Sequence, residues 1–111
     1  MDVLVTGGAG FIGANLCRAL RDSSRIERIV VLDDLSTGSR ENLDGVDVEL
    51  VVGSILDTHV LAELSQSLDS VVHFAARPSV PRSLEDPMAT HHANATGTLS
   101  VLEAARAGFA P

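Results

Sequence analysis

The stretch TGGAGFIG, Thr6 to Gly13, sets three glycines three residues apart, between the apolar run Val3, Leu4, Val5 and a segment with helical periodicity. Two spacings are satisfied at once: Gly8, Gly10 and Gly13 fit GxGxxG, and Gly7, Gly10 and Gly13 fit TGxxGxxG. The chemistry such spacing allows is close approach. A glycine at the strand end permits a tight turn, Gly10 brings the backbone up to a pyrophosphate with no Cβ between them, and Gly13 lets the next helix pack against the sheet. The N-terminus of that helix offers unpaired N–H groups and a partial positive charge to phosphates. Twenty residues beyond Gly13, Asp33 closes the apolar run RIVVL, placed to accept hydrogen bonds from the ribose of an adenosine. Asp34 adds a second negative charge beside it. The pair repels a 2′-phosphate, which favours NAD over NADP, with Arg40 near enough in sequence to offset part of the field. The competing reading is a structural glycine turn followed by a solvated loop acid. The strand before the loop, the helix after it and the register of Asp33 favour the dinucleotide reading.

Those residues need elements to hold them. Asp2 to Thr6 reads as a buried strand, and Phe11 to Arg21 as a helix with Ile12, Leu16 and Leu20, spaced by four, along one face. Arg28 to Leu32 is a second strand, followed by the polar loop DDLSTGSRENLDG. Val46 to Val52 is a third, with Asp47 and Glu49 pointing outward at its start. Asp57 is placed to cap a short helix through Leu68, with Val60, Leu61 and Leu64 inward. Ser70 to Phe74 gives a fourth strand. A last helix starts at Asp86-Pro87, runs to about Ala107 and ends at Gly108. Strands alternating with helices make parallel βαβ units. The expected fold is α/β: a Rossmann-like, doubly wound parallel sheet of four strands in the order 3-2-1-4, with its ligand crevice between strands 1 and 4.

The remaining composition bounds the function. One domain over residues 1–111 is expected, with a modest core. A net charge of −7 argues against a nucleic-acid partner, which would want a basic face. No apolar run approaches the ~20 residues of a membrane span, and Met1-Asp2-Val3 lacks the basic start of a signal peptide. The single cysteine, Cys17, excludes an internal disulfide and suits a reducing, cytoplasmic compartment. Its place on a sheet-facing helix makes it a small core residue rather than a nucleophile. His73, at a strand end, reads as a packed, hydrogen-bonded histidine. His91 and His92 are adjacent on a helix and diverge, so they form no metal pair and belong to the surface or an interface.

TGGAGFIG, LDDLSTG, HFAA and NATGTLSVLEAAR, in this order and spacing, resemble the extended short-chain dehydrogenase/reductases, and within them the NAD-dependent epimerase/dehydratase group acting on nucleotide sugars. The segment SVPRS, Ser79 to Ser83, is similar to the corresponding segment of bacterial UDP-N-acetylhexosamine 4-epimerases. The resemblance implies that Gly7, Gly10, Phe11, Ile12 and Gly13 hold the pyrophosphate of NAD. It implies that Asp33 binds the adenosine ribose while Asp34, Ser36, Thr37 and Gly38 line the adenine end. Relatives commonly end the third strand in Gly-Asp-Ile, the carboxylate meeting the adenine amino group. Here Gly53-Ser54-Ile55 stands instead, so Ser54 and Ile55 meet adenine with a neutral hydrogen bond at most. Phe74, Ala75 and Ala76 would pass beside the ribose and nicotinamide, with Asn94 facing the same region from the last helix. Ser79 and Val80 would touch a sugar. Arg77 and Arg82 would steer an anionic nucleotide sugar, or are solvated loop charges.

One departure concerns catalysis. Enzymes of this group use a Tyr-x-x-x-Lys pair with a Ser or Thr, and this sequence contains neither tyrosine nor lysine. No catalytic residue is assigned. Two readings follow. In one, the chain is the NAD-binding portion, cut short, of a nucleotide-sugar epimerase or dehydratase that oxidises a sugar hydroxyl at C4 and returns the hydride. In the other, it is a stand-alone module that binds NAD without turnover. Either way the edge of strand 4 and the face of the last helix lack partners, and self-association through them is expected.

Overall fold

Along the first strand Val3 and Val5 point to one side and Leu4 to the other, and all three are buried. A strand buried on both faces needs a helical layer on each. The computed structural model, which describes residues 1–74, 88 and 92–109, supplies both. Its elements are β1 (Asp2–Thr6), α1 (Phe11–Arg21), β2 (Arg28–Asp33), a 3-10 turn (Arg40–Leu43), β3 (Glu49–Val52), α2 (Thr58–Gln66), β4 (Ser70–His73), and a π-helical turn (His92–Thr96) running into α3 (Gly97–Phe109). The strands are parallel in the order β3-β2-β1-β4, as the sequence pattern requires. Val5 lies opposite Val31 of β2 and Val72 of β4, which makes β1 and β2 the centre of the sheet. One core joins Val3, Val5, Ile29 and Val31 to Ala14 and Cys17 of α1. The other joins Leu4, Val30 and Leu32 to Leu61 of α2, Leu68 and Val101 of α3.

On α1 the apolar face spaced by four is not the most buried one. The buried residues of the helix are Gly13, Ala14 and Cys17, whereas Ile12 is 66% exposed and Leu16 and Leu20 are only half-buried. The helix lies so near the sheet that only small side chains fit between them, which turns Ile12 away from the core. Cys17 is a buried free thiol, and burial pushes its pKa up, so it stays protonated and inert, as the sequence reading has it.

Boundaries also shift: the second strand runs on to Asp33 and the fourth stops at His73. The third strand begins at Glu49 rather than Val46, because Gly45 takes a left-handed conformation (φ +76°) and the Val46 and Val48 N–H groups bond locally to Leu43 and Val46 carbonyls. The second helix ends at Gln66, with Leu68 still buried beyond it. Its cap is as expected: Asp57 Oδ1 accepts from the N–H groups of His59 and Val60 at 3.1 and 3.3 Å. The last helix continues through Gly108 to Phe109; a glycine in the last turn weakens a helix by about 1 kcal/mol without ending it. Its expected start at Asp86-Pro87 lies outside the described residues. Among the described residues no helix is long and apolar enough to cross a membrane.

Candidate functional site

Because the four strands run the same way, the loops that follow them gather at one end of the sheet. That end carries Gly7 to Gly13 after β1, Asp33 to Gly38 after β2, Ser54 and Ile55 after β3, and Phe74 after β4. The crevice between β1 and β4 is where strand order reverses.

The glycine loop is shaped by two backbone requirements. Gly7 has φ +72°, a left-handed turn in which its N–H still donates to the Leu32 carbonyl at 2.9 Å. Gly13 lies where a Cβ would stand 2.4 Å from the Gly7 carbonyl oxygen and 2.7 Å from Gly8 Cα. These two positions select the Gly7, Gly10, Gly13 spacing. Gly10 caps α1, its N–H donating to the Gly7 carbonyl at 3.2 Å and its carbonyl accepting from Ala14 at 2.9 Å. The N–H groups of Phe11, Ile12 and Gly13 fall in the first turn, where a helix gives them no internal acceptor. Phe11, at 81% exposed, and Ile12 leave the approach to that turn open to solvent.

Asp33 ends β2 and is 7% exposed. Its Oδ2 accepts from the Ala9 N–H at 2.9 Å and its Oδ1 from the Leu35 N–H at 2.7 Å. The carboxylate therefore ties the glycine loop to the loop after β2, and each oxygen keeps a further lone pair. Asp34 is exposed, and its Oδ1 accepts from the Ser36 N–H at 2.9 Å. Ser36 and Thr37 are exposed, and Gly38 sits against the backbone of Ala9.

Two contributors carry no signal in the motif pattern. Ala9 is fully buried, and its carbonyl accepts from Asn42 Nδ2 at 2.7 Å and from the Ser39 N–H at 3.1 Å. Asn42, within the 3-10 turn, thus clamps the glycine loop from outside it. Leu35 adopts φ +64°, a conformation that disfavours a side-chain-bearing residue by about 1–2 kcal/mol. Its bond to Asp33 and its packing against the α1-side core hold it there.

At the third strand, Ser54 Oγ accepts from the Leu56 N–H at 3.0 Å, which leaves its hydroxyl proton to donate elsewhere. Ile55 is 7% exposed and belongs to the core under α2 and α3, so its side chain is largely committed to packing. On the far side of the crevice Phe74 is half-exposed, and its N–H donates to the Thr6 carbonyl at 2.8 Å. Asn94 lies exposed in the π-helical turn, and its carbonyl accepts from Thr98 Oγ1 at 3.0 Å. His73 joins the two sides: Nδ1 is 2.6 Å from Thr6 Oγ1, and Nε2 is 2.9 Å from Thr98 Oγ1. Burial pushes its pKa below the ordinary 6.5. The network matches the reading of His73 as a packed, hydrogen-bonded histidine; its partner Thr98 carries no signal in the sequence pattern. Ala75, Ala76, Arg77, Ser79, Val80, Arg82 and His91 lie outside the described residues. Among the described residues no cluster of histidine, cysteine or carboxylate side chains is arranged to hold a metal ion.

This arrangement has counterparts among known proteins. The sequence profile of the NAD dependent epimerase/dehydratase family matches residues 3–109. The chain is 46% identical over 109 residues to a dTDP-glucose 4,6-dehydratase of Mycolicibacterium smegmatis, covering 96% of this chain and 33% of that protein. It is 38% identical over 106 residues to a UDP-glucose 4-epimerase of Lacticaseibacillus casei, covering 94% of this chain and 31% of that one. The crystal structure of DesIV, a dTDP-glucose 4,6-dehydratase from Streptomyces venezuelae with NAD and TYD bound, superposes with a TM-score of 0.88 at 37% identity, covering 97% of this chain and 36% of that one. The chain thus spans about a third of the length of the relatives it matches. With sequence, sheet order and glycine-loop geometry in agreement, the chain belongs to the NAD-dependent epimerase/dehydratase family.

Proposed function

We propose that the chain forms the NAD-binding portion of a nucleotide-sugar epimerase or dehydratase whose reaction oxidises a sugar hydroxyl, at C4, to a transient ketone and returns the hydride. The observation that carries this reading is the coupling of the glycine turn to Asp33: one buried carboxylate bonds both the Ala9 and Leu35 N–H groups. That coupling sets the N–H groups of the α1 N-terminus beside an acceptor for ribose hydroxyls. The fit to NAD rests on shape as well as charge, since a side chain at Gly13 would displace α1 from the Gly7 carbonyl.

In this reading Gly7, Gly10 and the N–H groups of Phe11, Ile12 and Gly13 hold the pyrophosphate. Asp33 takes the adenosine ribose through its remaining lone pairs, and Asp34 keeps a 2′-phosphate out. Ser36, Thr37, Gly38, Ser54 and the edge of Ile55 border the adenine, with Ser54 offering its hydroxyl proton. The nicotinamide end is assigned to Phe74, Ala75, Ala76 and Asn94, and a nucleotide sugar to Ser79, Val80 and Arg82. NAD supplies the acceptor for the hydride of the sugar C–H bond. The 111 residues hold no tyrosine or lysine, so in this reading the proton transfers of the reaction fall to groups outside them, and the present residues bind and orient.

Calorimetric titration with NAD, NADP and ADP-ribose tests the proposal. Saturable NAD binding, ADP-ribose nearly as tight, and NADP at least about tenfold weaker are the expected results. No binding of NAD or ADP-ribose would overturn it.

Self-association belongs to the same proposal. Among the described residues β4 has a paired strand on one side only, that of β1. On α3, Leu99 and Leu102 are 60% and 61% exposed while Val101 is buried. An apolar stripe beside an open strand edge favours association. Sedimentation velocity should show a concentration-dependent dimer, and a monodisperse monomer at high concentration would contradict it. The buried free thiol of Cys17 fits the reducing cytoplasm we propose for this chain.

A further inference from the structure

The cofactor reading makes no use of His73, yet its imidazole spans the crevice from below. One ring nitrogen meets the last residue of β1 and the other meets the first turn of α3. The hydrogen-bond chain assigns its tautomer. Thr98 Oγ1 donates to the Asn94 carbonyl at 3.0 Å, so its single proton is committed and it accepts from His73. Nε2 therefore carries the proton, and Nδ1 is the bare nitrogen that accepts from the Thr6 hydroxyl at 2.6 Å.

We propose that His73 is a positioning residue for the crevice, its neutral Nε2–H tautomer holding the π-helical turn, and with it Asn94, against the end of β1. The inference rests on the reading of the crevice as an NAD site and deepens it, since Asn94 faces the nicotinamide end in that reading. The turn needs such a tie. A π-helical turn widens the ladder of backbone bonds, and here the Thr98 and Ser100 hydroxyls reach back to the Asn94 and Thr96 carbonyls, each at 3.0 Å. Of these two hydroxyls, Thr98 is the one bonded to His73, which passes the anchorage on to the sheet.

The tie responds to protonation. An imidazolium has two N–H donors and no acceptor, so protonation turns Nδ1 from an acceptor into a donor toward the Thr6 hydroxyl and places a charge in a part-buried site. Among the described residues no charged group offsets this. On the elements packed against His73, β1 carries Asp2 at its opposite end, and α3 carries Glu103 and Arg106, paired with one another at 2.8 Å. Burial depresses the pKa of the ring.

Long-range proton–nitrogen correlation spectra of the apo chain, recorded from about pH 8 to about pH 5, read the tie without cofactor. The expected result is a neutral Nε2–H tautomer, with the amides of residues 94–98 titrating in step with the ring. In parallel, NAD affinity should weaken about tenfold as pH falls through that titration, while ADP-ribose, which lacks the nicotinamide, changes little. His73→Gln keeps a neutral donor toward Thr98. It should hold NAD within about threefold of the unsubstituted chain at neutral pH and flatten the pH profile. An Nδ1–H tautomer, amides that ignore the ring, or a pH profile that survives in His73→Gln would overturn the proposal. Absence of NAD binding at every pH would overturn the cofactor reading, and the apo spectra would still decide whether His73 holds the turn.

Discussion

The two walls of the crevice are built by different means. The wall at α1 is backbone packed on backbone and tied by one buried carboxylate: Gly13 leaves no room for a Cβ beside the Gly7 carbonyl, and Asp33 locks the Ala9 and Leu35 N–H groups with two short bonds. Its strands are the interior ones, β1 and β2, buried along nearly their whole length. The wall at α3 is side chain against side chain. It stands on β4, a strand only half-buried throughout, and is joined to β1 through an imidazole between two hydroxyls. A wall made of backbone contacts has one arrangement and fails when it is crowded. A wall made of titratable and rotatable groups can be loosened in steps. In the proposed site the fixed wall would meet the pyrophosphate and ribose of the dinucleotide, and the adjustable wall its nicotinamide end.

The largest expected effect breaks the fixed wall. Gly13→Ala forces a methyl group to 2.4 Å from a backbone oxygen that has no free end to swing aside. Thermal unfolding should show a loss of about 3 kcal/mol, or no folded chain. An unaltered melting curve would mean that α1 can retreat from the sheet and that this wall is no more rigid than the other.

Asp33→Ala comes next. It leaves the buried Ala9 N–H and the Leu35 N–H without their acceptor, a loss of about 2 kcal/mol in denaturant titrations. NAD binding should disappear with it. A variant that stays stable but loses NAD would separate the ribose contact from the structural bonds.

On the opposite face of the sheet, Asp57→Ala removes the cap of α2, and about 1 kcal/mol should go with it. NAD affinity should change little, because the Asp57 carboxylate bonds only N–H groups of its own helix, those of His59 and Val60.

The smallest effect is a pH dependence. Burial holds the pKa of His73 in the folded chain below its ordinary 6.5, so between those two values the unfolded chain binds more protons than the folded one. Stability present above pH 6.5 is therefore lost as pH falls through the folded-state value. Urea midpoints should drop over that window in the unsubstituted chain and drop less in His73→Gln. Equal slopes would show that the α3 wall does not depend on the imidazole.

The contrast between the walls also decides what the sequence shows of them. The interior strands are continuous runs of Val, Leu and Ile, and the glycine spacing is a pattern of residue types, so sheet order, turn and the position of Asp33 can be read without coordinates. Within the same motif the period misleads: Ile12, Leu16 and Leu20 keep a helical spacing, yet the close approach at Gly13 gives the inner face to Ala14 and Cys17. The clamp on Ala9 by Asn42 and the left-handed Leu35 are invisible for another reason. Both depend on where a loop returns in space, and neither residue type announces it. His73 reads as a packed histidine, but its partner Thr98 lies 25 residues away on a different element, joined to it only by the topology.

The central claim is that the Gly7 to Gly13 turn and the Asp33 loop form one NAD site. Amide chemical-shift mapping of the chain during an NAD titration tests it most directly. The account predicts saturable shifts that are largest at Gly10 to Gly13 and Asp33 to Gly38, with a smaller set at Phe74 and Asn94. Saturable binding that leaves the first two groups unmoved would contradict it.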